Sequence, residues 1–143
     1  MTKEKTYTLT LTETQVREIS HACDVVARLR IGQSLDALRE LRTVTEDRLR
    51  EDLWKLETYI SETLGFAPGS SFGVGLFEDA DRLFDIHQVL RNRLAWDAAI
   101  EKGLVKENEA RNWPQMMTVD YDEPMKYSSE QPLPVIKKVE NDS

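Results

Sequence analysis

Ser71 is the residue whose neighbours most resemble a catalytic pattern. The segment Gly69-Ser70-Ser71-Phe72-Gly73 matches the G-x-S-x-G sequence that presents a nucleophilic serine in many hydrolases. That chemistry needs a strand before the serine and a helix directly after it, within a large parallel sheet. The residues before this segment predict a helix, and the chain has no alternation of strands and helices. A hydrolase that uses Ser71 is therefore the least favoured function.

The same segment has a second interpretation, as a loop that binds an anion. Four of the six glycines of the chain lie in residues 65–75. Glycine lets backbone N–H groups turn toward an anion, and Ser70 and Ser71 add hydroxyl donors. The ring of Phe72 offers a stacking face for a base, and a glycine-rich loop can close over a ligand as a lid. A plain surface loop is an equally good interpretation.

Residues 84–97 carry the second group of candidate ligand-binding side chains. His87 and Arg91 are four positions apart and share one face of a predicted helix. The Arg91 guanidinium suits a phosphate, and carboxyl and amide groups suit the edges of a ribose or a base. The polar residues on a neighbouring stripe are Asp81, Asp85, Gln88 and Asn92. Stripes of this kind are also typical of a solvated helix face with ion pairs.

Composition excludes several other chemistries. A single cysteine, Cys23, cannot form an intrachain disulfide or a thiolate metal cage. The two histidines, His21 and His87, lack the spacing of a zinc site. A net charge of -7 over 143 residues argues against a DNA-binding protein, because phosphate neutralisation needs clustered Lys and Arg. The sequence therefore predicts no metal, no cofactor and no catalytic residue set.

The elements that position these side chains begin with a short strand and a helix. Residues 7–11 alternate apolar and polar side chains, which predicts a half-buried strand. The inward positions are Tyr7, Leu9 and Leu11. Thr12 and Gln15 form a capping box, which predicts a helix that ends near Ile31, before Gly32. Its predicted core stripe is Val16, Ile19, Cys23 and Val26.

Three further helices are predicted. Ser34 caps a short second helix, and Thr45 opens a third that ends at Gly65. Residues 43–45 are the only interruption between these two helices, so the sequence does not decide whether they merge into one. The third helix has the apolar stripe Leu49, Leu53, Leu56, Ile60 and Leu64. A fourth helix is predicted from Glu78 to Lys102, with the core positions Leu83, Ile86, Leu90 and Leu94.

The predicted fold is α+β and mostly helical, with three to four helices and one small antiparallel sheet. Residues 116–121 alternate well enough for a strand that would pair with the N-terminal strand. The expected organisation is one domain over residues 1–127 and an extended tail over residues 128–143. No apolar run approaches the roughly 20 residues of a membrane helix, and the N-terminus has no signal sequence. A cytoplasmic location follows as an expectation.

Four segments, taken in order, resemble the phage Thoeris anti-defence 1 family. They are Arg-Ile-Gly-Gln at 30–33, Gly-Ser-Ser-Phe-Gly at 69–73, Phe-Asp-Ile-His-Gln-Val-Leu-Arg-Asn-Arg-Leu-Ala-Trp-Asp at 84–97, and Val-Asp-Tyr-Asp-Glu-Pro at 119–124. The segment at 84–97 is the most specific, and the resemblance spans residues 6–127. The family pattern has two glycines after the Trp-Asp pair, where this chain has only Gly103.

The resemblance implies a protein that sequesters a signal and is not an enzyme. Members of the family bind the glycocyclic ADP-ribose made by Thoeris TIR proteins in the infected bacterial host, and some bind cyclic di- and trinucleotides at a separate site. They form homodimers that can assemble into hexamers. Arg28 and Arg91 would then bind phosphates, and Phe72 would stack on the base. The candidate ligand-binding residues are Arg28, Ser70, Ser71, Phe72, Gly73, Asp85, Gln88, Arg91 and Asn92.

A different class of function also fits the composition. The acidic charge and the extended C-terminal residues favour a small oligomeric phage protein that binds a host protein. Binding of a cyclic nucleotide would favour the signal-sequestering protein. A stoichiometric host protein that stays bound after nucleotides are removed would favour the second class.

Overall fold

The described part of the chain is built from four helices. A computed structural model describes residues 4–41, 46–67, 70–109 and 119–140. The helices are α1 (Glu13–Arg30), α2 (Ser34–Leu41), α3 (Glu46–Thr63) and α4 (Glu78–Glu101). α1 packs mainly against α4, α2 packs against α1, and α3 packs against α2. Within these ranges, no helix combines the length and the apolar character needed to cross a membrane.

Local sequence signals set the ends of α1. Thr12 Oγ1 accepts a hydrogen bond from the Gln15 N–H at 3.2 Å, and the Gln15 side chain accepts one from the Thr12 N–H at 3.0 Å. The predicted capping box is therefore confirmed. Gly32 has a φ of 84°, a left-handed conformation that glycine adopts without strain. The chain turns there, and the Gln33 N–H donates to the Arg28 carbonyl at 2.8 Å.

The buried face of α1 is more polar than predicted. Ile19 and Val26, two positions of the predicted core stripe, are 36% and 39% exposed, so the prediction is wrong for them. The buried positions that share one face are Val16, Ser20, Asp24 and Ala27. Hydrophobic periodicity did not indicate this face, because two of its members are polar and are satisfied by hydrogen bonds rather than by apolar contact.

The buried positions of α4 also differ from the predicted stripe. The predicted core residues Leu83, Ile86, Leu90 and Leu94 are half-buried. The residues that α4 buries most completely are Ala80, Asp81, Asp85, Val89, Trp96 and Ala99. Asp81 and Asp85 are each 2% exposed, because their carboxylates accept hydrogen bonds from other segments.

The predicted antiparallel sheet is absent from the described residues, so the α+β fold class is wrong and the fold there is helical. Residues 4–11 form no strand, and Tyr7 and Leu9 are 88% and 72% exposed. Residues 119–121 form a turn, and positions 116–118 of the predicted strand lie outside the described residues. The physical reason is that backbone groups between residues 120 and 130 form hydrogen bonds with α4 side chains instead of with a second strand.

Residues 119–131, which we call the strap, run along α4 in the opposite direction. Trp96 Nε1 donates to the Tyr121 carbonyl at 3.1 Å, at the C-terminal end of α4. The Met125 N–H donates to Gln88 Oε1 at 3.0 Å, and the Gln88 amide donates back to the Met125 carbonyl. Side chains of one helix face thus replace the partner strand that the strap lacks.

Two carboxylates at the N-terminal half of α4 hold the other end of the strap. Asp85 accepts hydrogen bonds from the Tyr127 N–H at 2.7 Å and the Ser128 N–H at 3.2 Å, and it also accepts the Ser128 hydroxyl. Glu78 accepts the N–H groups of Ser129 and Glu130, each at 3.0 Å. These bonds lower the pKa of Glu78 from its ordinary value. Part of the expected tail, residues 128–130, is therefore docked on α4.

α3 buries only part of its predicted stripe. Leu53 and Ile60 are half-buried, whereas Leu56 and Leu64 are 45% and 51% exposed. The Leu49 side chain, the Thr45 cap and the junction at residues 43–45 lie outside the described residues. α3 therefore keeps apolar surface that the rest of the described chain does not cover.

Candidate functional site

Five polar side chains meet between α1 and α4, and we call this group the polar seam. Its members are Ser20, Asp24, Arg28, His87 and Arg91. Arg28 Nε donates to Asp24 Oδ1 at 3.1 Å. His87 Nε2 lies 3.9 Å from the same carboxylate oxygen and 3.4 Å from Arg91 Nη1. The two arginines predicted to bind phosphate thus flank a single Asp–His pair.

Helical spacing explains why these side chains converge. Ser20, Asp24 and Arg28 follow one another at intervals of four on α1, and His87 and Arg91 do the same on α4. Residues four apart lie on the same helix face. Ser20 and Asp24 are 6% and 7% exposed, so their polar groups depend on partners inside the protein. Arg28 supplies the compensating charge for Asp24.

Arg91 already has an internal counter-charge on the strap. Its Nε atom lies 3.2 Å from Asp120 Oδ1, and the Arg91 and Asp120 side chains are 34% and 54% exposed. This ion pair lacks the alignment of a hydrogen bond, and the buried Nε–H has no other hydrogen-bond partner among the described residues. An anion that reaches Arg91 from solvent must therefore compete with Asp120.

A pocket of about 270 Å³ opens where α1 gives way to α2. The residues that line it come from this junction, from α3 and from the loop before α4: Gly32, Gln33, Ser34, Leu35, Asp36, Glu57, Ser70 and Ser71. Its charged groups, Asp36 and Glu57, are both acidic, so the pocket favours ligand groups that donate hydrogen bonds. Arg28 Nη1 donates to Gln33 Oε1 at 2.8 Å, which joins the pocket to the polar seam.

The loop on one side of the pocket is anchored to the end of α1. The Phe72 N–H donates to the Ile31 carbonyl at 2.9 Å, and Gln33 Nε2 donates to the Phe72 carbonyl at 3.2 Å. A β-carbon at Gly32 would lie 3.1 Å from the Ser70 carbonyl oxygen, which shows how closely the two backbones approach. Ser70 and Ser71 are therefore held at the pocket by main-chain contacts.

The Phe72 ring belongs to an aromatic cluster. Its centroid lies 5.8 Å from that of Phe66 and 5.5 Å from that of Phe77, the second contact being edge-on. Phe66 and Phe77 also meet edge-on, at 6.3 Å. Phe72 remains 38% exposed. The ring both anchors the loop and keeps some surface for a ligand.

The structure divides the nine predicted ligand-binding residues into two groups. Those at the pocket, its loop or the polar seam are Arg28, Ser70, Ser71, Phe72, Gly73 and Arg91. Asp85, Gln88 and Asn92 instead hold the strap. Asn92 Nδ2, for example, donates to the Asp122 carbonyl at 2.8 Å. Gly69 lies outside the described residues.

Gln33 and Asp24 take part in the site without having been predicted there, whereas His87 was noted in the sequence only for sharing a helix face with Arg91. Gln33 contacts both Arg28 and the Phe72 carbonyl, and Asp24 contacts Arg28. The spacing of Asp24 and Arg28 by four residues was a signal for an ion pair. No local signal links Ser20 with His87, which are 67 positions apart in the chain.

The hydrolase interpretation gains no support from the position of Ser71. Among the described residues, α3 and a turn precede Ser71, with no strand between them, and α4 begins only at Glu78. Ser20, His87 and Asp24 are the residue types of a hydrolytic triad, but Ser20 is 6% exposed. Its hydroxyl donates to the His87 carbonyl at 3.3 Å and so has a structural contact. Among the described residues, no three metal-ligating side chains cluster in a way that could hold an ion.

No family model, no curated protein and no solved structure matches this chain. The pocket offers carboxylates and hydroxyls, and the adjoining seam offers two guanidinium groups.

Proposed function

We propose that this protein binds a nucleotide of the cyclic ADP-ribose class and sequesters it without cleaving it. The observation that carries the proposal is the contact between Arg28 and Gln33, which places a guanidinium beside a polar pocket. The sequence resemblance to signal-sequestering phage proteins supports the same ligand class. The ligand combines riboses, a pyrophosphate and a base, and each needs a different kind of protein group.

The charges of the site favour one orientation of the ligand. Asp36 and Glu57 would accept hydrogen bonds from ribose hydroxyls but would repel phosphate oxygens. The pyrophosphate would therefore lie toward Arg28, whose guanidinium can donate two hydrogen bonds to phosphate oxygens. Ser70 and Ser71 also line the pocket. The Ser70 hydroxyl donates to the Ala67 carbonyl at 2.6 Å, so the Ser71 hydroxyl would be the one that donates to the ligand.

Calorimetric titration tests the proposal directly. Cyclic ADP-ribose isomers, cyclic dinucleotides and cyclic trinucleotides are each titrated into the full chain. We expect heat with at least one cyclic ADP-ribose isomer, and we expect the nucleotide released on heating to be chromatographically intact. No heat with any of them at tens of micromolar protein would refute binding, and a cleaved nucleotide would refute sequestration without catalysis.

Arg28→Met tests the predicted phosphate contact. Loss of a charge-assisted hydrogen bond costs roughly 1.5–3 kcal/mol, which corresponds to about 10- to 100-fold weaker binding. Arg17→Met is the matched control, since Arg17 also pairs with an acid four residues away on α1, but in an exposed position. Equal affinities of the two variants would remove Arg28 from the site, provided that both melt like the wild type.

Asp120→Asn tests the competition at Arg91. Removing the internal counter-charge should tighten binding of an anionic ligand by several-fold, because the ligand no longer displaces a carboxylate. Asp122→Asn is the control, because Asp122 contacts Asn92 through its carbonyl, which the substitution retains. If Asp120→Asn left affinity unchanged, the ligand would not reach Arg91.

We also propose that a second copy of the chain covers the outer face of α3. Trp54 and Tyr59 are 64% and 69% exposed there, and such large aromatic side chains are typical of protein interfaces. In an antiparallel pairing of two α3 helices with the two-fold axis between Thr58 and Tyr59, Lys55 of each copy would lie near Glu62 of the other, and the charges would be complementary. Sedimentation equilibrium should show dimers that Trp54→Lys dissociates into monomers with the helical circular dichroism of the wild type. The melting temperature should rise with protein concentration in the wild type and not in Trp54→Lys.

The host-protein class of function makes a different prediction. It requires no heat with nucleotides and a stoichiometric host protein that stays bound to the chain after nucleotides are removed. Both results together would favour a protein partner over a nucleotide. A dimer that binds a cyclic ADP-ribose isomer would favour the signal-sequestering protein.

A further inference from the structure

We propose that His87 is a positioning residue, whose neutral ring accepts a hydrogen bond from Arg91 and holds that guanidinium ready for an anion. This inference rests on the proposed function, because it gives Arg91 a ligand to bind. His87 would not touch the ligand. It acts through Arg91, from which its Nε2 atom is 3.4 Å away.

The partners of the other ring nitrogen determine the tautomer. His87 Nδ1 lies 2.9 Å from the Ser20 carbonyl oxygen, which can only accept a hydrogen bond. Nδ1 therefore carries the proton and donates it to Ser20. The Ser20 hydroxyl, also 2.9 Å from Nδ1, donates to the His87 carbonyl instead. Nε2 is left with its lone pair.

Arg91 can donate a hydrogen bond to the lone pair of Nε2, because a guanidinium has donors and no acceptor. The groups that face the ring from α1 are Ser20, Asp24 and Arg28, and Arg91 faces it from α4. A proton on Nε2 would point between Asp24 and Arg91, and Nε2 could then no longer accept a hydrogen bond from Arg91. Burial, the largest cause, lowers the pKa of His87 from its ordinary value and favours the neutral ring. Asp24 and the Ser20 carbonyl act in the opposite direction and Arg91 and Arg28 in the same direction, and the net effect is a lowered pKa.

The ring gives Arg91 a contact that a bound anion does not disturb. Asp120 holds the guanidinium from the strap, and an anionic ligand would replace Asp120 there. The bond to His87 lies on the buried side and persists in both states. Arg91 would then enter the complex with its side chain already ordered, which reduces the entropy cost of binding.

Nitrogen-15 NMR tests the tautomer and the contact without any ligand. The chain has only two histidines, so His21→Gln assigns both rings. At neutral pH we expect His87 to show the two-bond couplings of the Nδ1-protonated tautomer. We also expect slow exchange of the Arg91 side-chain protons, which His87→Leu should accelerate. An Nε2-protonated or cationic ring, or unchanged exchange in His87→Leu, would overturn the inference.

Paired substitutions test the effect on binding. His87→Gln places an amide oxygen near the position of Nε2 and keeps an acceptor for Arg91, whereas His87→Leu removes it. With the cyclic ADP-ribose isomer that binds the wild type, we expect His87→Gln to bind within about threefold and His87→Leu about tenfold more weakly. His21→Gln should bind like the wild type. Equal affinities of the Gln and Leu variants would overturn the positioning role.

The two tests separate this inference from the function on which it rests. If the wild type bound no nucleotide, the proposed function would fail and the positioning role would fail with it. The NMR spectra would nevertheless show whether His87 orders Arg91. If the wild type bound nucleotide and the Leu variant bound equally well, the function would stand and His87 would lose its role.

Discussion

Gly32→Ala should loosen the contact between the end of α1 and the loop that borders the pocket. Gly32 has a φ of 84°, which is unfavourable for alanine. Its added β-carbon would lie 3.1 Å from the Ser70 carbonyl oxygen and 3.4 Å from Phe66 Cγ. Backbone and ring would both have to shift by a few tenths of an ångström, away from the contacts that hold Phe72.

The expected loss of stability has two parts. The left-handed conformation costs alanine about 1–2 kcal/mol, and the reduced entropy of the unfolded chain returns about half of that. The crowding adds a further cost if it weakens the bonds from the Phe72 N–H at 2.9 Å and from Gln33 at 3.2 Å. Each such bond contributes about 0.5–1.5 kcal/mol, so the total loss should be roughly 2–3 kcal/mol.

Gly65→Ala is the matched control for this experiment. Its φ of 86° nearly equals that of Gly32, but a β-carbon there meets no atom of the described residues within 4 Å. Urea denaturation followed by circular dichroism should therefore show a loss of about 1 kcal/mol for Gly65→Ala and at least twice that for Gly32→Ala. Nucleotide affinity should fall only in Gly32→Ala. Equal stability losses in the two variants would refute the crowding argument.

Three further predictions concern α4, the strap and the buried histidine. Asp85→Ala leaves three strap donors without their acceptor and should lower the free energy of unfolding, measured by urea denaturation, by about 2–4 kcal/mol. Asp122→Ala, at an exposed position, should lower it by under about 0.5 kcal/mol. Equal losses would mean that the strap is not held through Asp85. Trp96→Phe keeps the aromatic contact but leaves the Tyr121 carbonyl without its donor, so it should cost about 1 kcal/mol and speed hydrogen exchange in the strap. The pKa of His87 is lowered in the folded protein, so the unfolded chain binds more protons, and stability should fall as the pH drops below about 6.5. His87→Gln should flatten the dependence of the urea midpoint on pH in that window, and a slope identical to that of the wild type would contradict this account.

Acid should act on the strap as well, through Glu78, at a lower pH. Hydrogen bonds from the backbone N–H groups of Ser129 and Glu130 lower the pKa of Glu78. The stabilisation that ionised Glu78 gives the folded protein is therefore present above pH 4.5, the ordinary pKa of this carboxyl group, and it is lost as the pH falls below that value. The strap would detach in acid through this end, which hydrogen exchange at Ser129 can follow.

Sequence patterns predicted the helices well because their signals are local. The capping box at Thr12 and Gln15, the glycine after α1 and the bounds of α4 each depend on residues within one or two turns. The sequence also singled out Ser70, Ser71, Arg28 and Arg91 as polar groups worth examining. It did not indicate that Arg28 and Arg91 flank a common Asp24–His87 pair.

Only the tertiary structure decided which face of α1 is buried and where the strap lies. Ser20 bonds to His87 across 67 positions, and the Ser128 N–H bonds to Asp85 across 43 positions. Local periodicity assigned Ile19 and Val26 to the core and residues 116–121 to a strand, because it registers apolar alternation and not hydrogen bonds between distant segments. The amino-acid sequence therefore determined the helices and their caps. Buried polar side chains can be stabilised only by partners that the fold brings together in space, so only the tertiary structure revealed the polar seam. The bonds between the strap and α4, which replace a sheet, likewise depend on contacts between distant segments.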